Sequence, residues 1–148
     1  MKPLNQVIAL LVLLLVWREY DANKNATPVD PGRSQTFRYL IVTDDDDKNI
    51  TTEQRAAVNS ARAGDIDAWS RTNCSKDTDG TPERRVWDND VDTRLETTFW
   101  QNAMKMDHGK LPSASVYKGH SWTKPHTITD PNDLQQYLTG LRSNDGED

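Results

Sequence analysis

The order of strand-like and helix-like segments between residues 37 and 141 predicts an α/β sandwich built on a mixed sheet. Three observations carry that prediction. Phe37-Arg38-Tyr39-Leu40-Ile41-Val42-Thr43 is a short run of β-formers. Leu95, Phe99, Ala103 and Met106 recur at the spacing of one helical face. Residues 109–119, Gly-Lys-Leu-Pro-Ser-Ala-Ser-Val-Tyr-Lys-Gly, place a proline ahead of a short strand and a glycine turn after it.

The chain begins with an apolar run at residues 7–17, preceded by Lys2. Its length suits a signal-peptide core and falls short of the ~20 residues of a comfortable membrane span. Trp17-Arg18-Glu19-Tyr20-Asp21 follows directly and offers no small residues for cleavage. Starting at Leu4 lengthens the run, and Trp17 and Tyr20 suit a membrane interface. Residues 1–20 therefore read as an uncleaved signal-anchor in preference to a removed signal peptide. On this reading residues 4–17 contact the membrane as a single pass, and the folded part lies outside the cytoplasm. Residues 21–36, rich in Asn, Asp, Pro and Gly, read as a flexible stalk.

The domain is predicted over 37–142. After the first strand and an aspartate loop, Thr51 and Gln54 form a capping box that opens a helix running to about Trp69, weakened at Gly64. A polar loop over 71–83 leads to a second strand at Arg84-Arg85-Val86-Trp87-Asp88. Thr93 and Glu96 make a second capping box, which opens the helix carrying Leu95 and Phe99. A third strand follows at Ser113–Lys118, and a fourth over 121–128 is confined to an edge by Pro125. Asp130 then caps a last helix, with Pro131 in its first turn and Leu134, Tyr137, Leu138 and Leu141 on one face. The acidic tail at 143–148 reads as disordered.

Composition excludes several function classes. The net charge is −5, with both signs mixed along the chain and no basic stripe, which argues against nucleic acid as the main partner. Cys74 is the single cysteine, so no intrachain disulfide, dithiol motif or cysteine-based zinc knuckle can form.

From Phe37 to Leu141 the order β-α-β-α-β-β-α resembles the thioredoxin-like fold, a three-layer sandwich. Val86-Trp87-Asp88 takes the place of the second core strand. Leu111-Pro112-Ser113 resembles the junction of helix, cis-proline and strand, and Val116-Tyr117-Lys118-Gly119 the hairpin strand with its turn. The resemblance implies a cis peptide bond before Pro112 and a substrate strand docking beside Pro112 and Ser113. It also implies a Cys-x-x-Cys motif at the start of the first helix. This chain departs there, with Asp44-Asp45-Asp46-Asp47-Lys48-Asn49-Ile50-Thr51-Thr52. Dithiol exchange needs a thiolate and a resolving thiol at that helix start. Dithiol oxidoreductase activity is excluded, and the chain reads as a divergent, non-catalytic member.

Other residues offer chemistry of their own. Asp44 and Asp46 could bind Mg²⁺ for phosphoryl transfer, although a solvated acidic loop is the plainer reading. Cys74 could act as a monothiol only with a lowered pKa. Asp88-Asn89-Asp90-Val91-Asp92 starts like a calcium loop, but it has Thr93 and Phe99 where glycine and glutamate are required. His108, His120 and His126 show no metal spacing. Of the five tryptophans, Trp69 and Trp87 read as core, while Trp100, next to Phe99, and Trp122 are assigned to a binding patch. The sequence thus predicts a membrane-tethered or exported binding or accessory domain with a protein or peptide partner and no cofactor. The competing class is an enzyme, using Mg²⁺ at residues 44–47 or the Cys74 thiol.

Overall fold

The computed structural model describes residues 36–143. The expected anchor, the stalk up to residue 35 and the tail beyond Ser143 lie outside the described residues. The chain runs β1 (Phe37–Thr43), α1 (Thr52–Ala63), α2 (Asp65–Asn73), β2 (Arg84–Asp88), α3 (Thr98–Met104), β3 (Ser113–Lys118), β4 (Ser121–Trp122), β5 (His126–Thr127) and α4 (Pro131–Ser143). Among the described residues no helix is long and apolar enough to cross a membrane.

One mixed sheet orders its strands β2-β1-β3-β4, with β5 also paired to β3. β1 is parallel to β2 and antiparallel to β3, and β3 is antiparallel to both β4 and β5. Side chains alternate faces along a strand. Phe37, Tyr39 and Ile41 of β1 join Ala114 and Val116 of β3 in one core, with Ala57, Val58 and Ala61 of α1, Ile66 of α2, and Leu134 and Leu138 of α4. Leu40 and Val42 belong to a second core, with Trp100 and Ala103 of α3. Each fully buried large apolar side chain contributes about 1.5–3 kcal/mol, so a strand apolar on both faces takes the centre of the sheet. The parallel step from β1 to β2 requires a crossover, which α1 and α2 supply.

Two local signals act as the sequence predicts. Thr51 Oγ1 accepts from Gln54 N–H at 3.1 Å, and Gln54 Oε1 accepts from Thr51 N–H at 3.0 Å, closing the capping box. Asp130 Oδ1 accepts from the N–H groups of Asn132 and Asp133 at 2.8 and 2.9 Å and caps α4. That helix extends through Ser143, past the predicted start of the tail.

Three boundaries differ from expectation. The single helix over 51–69 is two helices that meet at Gly64, where φ −121° and ψ −147° leave the helical region. A Cβ at Gly64 would lie 2.8 Å from Ser60 Cα in the last turn of α1, so the chain can leave that helix in this conformation only with glycine there. The helix predicted from Thr93 starts only at Thr98, and Leu95 is fully exposed at 102%. Glu96 is held instead by Arg85, with Nη2 to Oε2 at 3.0 Å, and that long-range pair keeps residues 93–97 in turns. The fourth strand divides into β4 and β5 around Pro125, which has no N–H to give to a ladder. Thr123 still holds the chain beside β3, donating N–H to Val116 O at 2.8 Å and accepting Val116 N–H on Oγ1 at 3.0 Å.

Gly64→Ala is expected to destabilise the protein by about 1–3 kcal/mol, because backbone must move to admit the new carbon. Gly140→Ala in α4, with nothing within 4 Å of the added carbon, should stabilise it by about 0.5–1 kcal/mol. Urea midpoints of the two variants measure both effects.

Candidate functional site

The register places Arg38, Leu40 and Val42 of β1 beside Tyr117, Ser115 and Ser113 of β3, with Arg85 and Trp87 of β2 on one flank and Trp122 of β4 on the other. All share the face that α3 covers. The small side chains of Ser113 and Ser115 keep this strip of sheet low beneath α3. Trp100 and Ala103 lie against it beside Leu40 and Val42.

An aromatic layer results. Trp100 meets Trp87, Phe99 and Trp122 with ring centroids 6.1, 5.0 and 6.1 Å away. Phe99 stacks on Trp122 at 5.5 Å and meets Tyr117 edge-on at 5.0 Å. Two arginines border the layer. Arg38 lies 4.5 Å over Phe99 and donates to Glu83 at 2.6 Å. Arg85 lies 4.8 Å over Trp100 while donating to Glu96. Each ring pair contributes about 0.5–1.5 kcal/mol beyond area burial.

This geometry corrects the predicted patch. Trp100 is 3% exposed and forms the middle of the second core with Ala103, while Phe99, on the predicted stripe, is only half-buried. Pro112 is fully buried and Ser113 is 2% exposed, so neither presents a side chain to solvent. The Leu111–Pro112 bond is cis. The Ser113 hydroxyl is buried with no hydrogen-bond partner among the described residues. Trp122 alone of the four predicted residues reaches the surface, half-buried, and Phe99 and Tyr117 accompany it. Tyr117 was legible: the turn at Gly119 sets it directly opposite Trp122.

The acidic loop lies elsewhere. Because β1 and β2 are parallel, residues 44–47 and 88–92 emerge at the same end of the sheet, a convergence the sequence does not announce. Asp88 Oδ2 accepts from Asp45 N–H at 2.7 Å, and this bond leads the effects that hold the Asp88 carboxyl below its usual value. Asp90 is raised by its hydrogen bond to Asp88 and by that carboxylate's charge. Asp45 pairs with Arg62 at 2.8 Å, and Asp47 accepts from Asn49. Asp44 is half-buried, with its carbonyl accepting from Asp47 N–H, and Asp46 is exposed. A cleft of about 260 Å³ beside them is lined by Thr43, Asp45, Arg55, Val58, Asn59 and Arg62. Among the described residues no three His, Cys, Asp or Glu side chains are grouped to hold a metal ion. The three histidines are dispersed: His108 bonds Met104 O, His126 bonds Asp133 at 2.9 Å, and His120 is exposed.

Cys74 is 7% exposed in the first core. Burial pushes its thiol up to about 12, against smaller downward effects of Ser70 and Arg84. Ser70 also bonds Tyr39 Oη at 2.6 Å and Ile66 O, which closes the region around the thiol. The surface therefore offers ring stacking, and the one thiol is held in its unreactive form.

Alkylation of native protein by iodoacetamide at pH 8 should be slower than in denaturant by orders of magnitude, since burial keeps the native thiol protonated. Trp100→Ala should cost about 3–5 kcal/mol in urea unfolding, and Trp122→Ala distinctly less, separating core from surface. No known protein family, curated protein or solved structure matches this chain.

Proposed function

We propose that this chain is a non-catalytic, thioredoxin-like binding or accessory domain, tethered to a membrane or exported through its N-terminal segment, that takes a protein or peptide partner. The strand order β2-β1-β3-β4, with β3 antiparallel to both neighbours, supports the fold reading. So do helices on both sheet faces. The carrying observation for the lack of catalysis is the state of the thiol. The segment before α1 has no cysteine, and Cys74 is buried with its thiol pushed up to about 12. Residues 4–17, with Trp17 and Tyr20, support tethering or export.

The binding surface is the half-buried rim of Phe99, Tyr117 and Trp122, which packs in one cluster with Leu111 beside the cis bond. Half-buried rings present stacking area at low entropic cost. Titration of the full chain with extended peptides, followed by residue-resolved NMR, tests this reading. Shifts should gather at Phe99, Leu111, Tyr117 and Trp122, and Trp122→Ala should weaken binding about tenfold with Cys74→Ser neutral. Shifts confined to other faces would remove the assigned surface, and loss of binding in Cys74→Ser would return the thiol to consideration.

A further inference from the structure

Among the described residues β2 is the outermost strand: β1 pairs one edge, and no strand pairs the other. The bond from Asn89 N–H to Thr43 O sets the phase of the parallel ladder. Arg85 and Trp87 accordingly direct their main-chain groups to β1, and Arg84, Val86 and Asp88 direct theirs outward. Arg84 N–H is taken by Pro82 O, and Asp88 O accepts Val91 N–H. Val86 N–H, Val86 C=O and Asp88 N–H remain along the edge. Arg84 O accepts from the Arg85 guanidinium and keeps a second lone pair.

The side chains on this edge are self-complementary. Folded antiparallel onto a copy of itself about Val86, the strand sets Arg84 opposite Asp88 and Arg85 opposite Trp87, twice over. Opposite charges directly across an antiparallel pair favour that register, as does an arginine facing an indole. A parallel alignment would set arginine against arginine. Arg84 engages Asp67 through Nη2 and, among the described residues, keeps Nη1 for the Asp88 carboxylate of a second copy, while Arg85 is paired with Glu96, so the edge brings no bare cation against that copy. Charged residues on a short strand commonly discourage edge pairing, but here their order fits one specific partner. We infer that β2 is a self-pairing edge: a second copy of this chain docks antiparallel on it across a two-fold axis at Val86, joining the two sheets.

Sedimentation equilibrium of the full chain, in a mild detergent that disperses residues 7–17, should show a concentration-dependent monomer–dimer equilibrium. Val86→Pro removes the outward N–H and spares the N–H groups that bond β1, at the cost of Val86's packing against the first core, so it should weaken the dimer about tenfold or more while circular dichroism still reports a folded chain. A chain that stays monomeric at all concentrations, or a dimer indifferent to Val86→Pro, overturns the inference. Hydrogen exchange of the wild type gives a readout that needs no variant. The Val86 and Asp88 amides should exchange more slowly as concentration rises. Exchange that is independent of concentration, whether fast or protected by another segment of the same chain, overturns it equally.

Discussion

β1 is hydrogen-bonded along both edges and buried on both faces, and the rest of the described structure is arranged around that placement. Its odd-numbered side chains, Phe37, Tyr39 and Ile41, need cover from α1, α2 and α4, while Leu40 and Val42 need cover from α3. A strand buried on both faces can sit only between two helical layers, since either face left open would return several large apolar side chains to water. The crossovers on opposite faces follow from that requirement. So does the position of β2, which the parallel crossover through α1 and α2 carries to the far side of β1.

The polar side chains near the cores are tied to this frame and do not interrupt it. Arg38 and Arg85 each place a guanidinium over a ring and pair it with a glutamate, so no charge is left uncompensated beside the aromatic layer. Tyr39 reaches Ser70, and Asp67 is shared by Arg71 and Arg84. Burial alone would raise the Asp67 carboxyl, but the two arginines outweigh it and hold the group below its usual value. Apart from Arg71 with Asp67, one helical turn apart, these links connect different elements of the fold.

In the loop ahead of α1 Asp45 pairs with Arg62 and Asp47 accepts from Asn49 N–H, and the single thiol is enclosed in the core beneath α1, α2 and α4. Chemistry of the dithiol kind has no residues to run on. The opposite sheet face carries a rim of rings partly open to solvent.

The sequence alone was sufficient for the identity and order of most elements. β-rich runs mark β1 and β3, side-chain caps at Thr51 and Asp130 mark α1 and α4, and Gly119 marks the hairpin; each is a signal written in a few consecutive residues. Contacts between distant residues decided the rest. Glu96 pairs with Arg85 of β2 and caps nothing, and α3 begins only at Thr98. Trp100 is buried against Leu40 and Val42 of the central strand, and the aspartates of two loops meet only because their strands run parallel. Local hydrogen bonding and periodicity are legible along a chain, whereas the direction a side chain faces depends on what the fold sets opposite it.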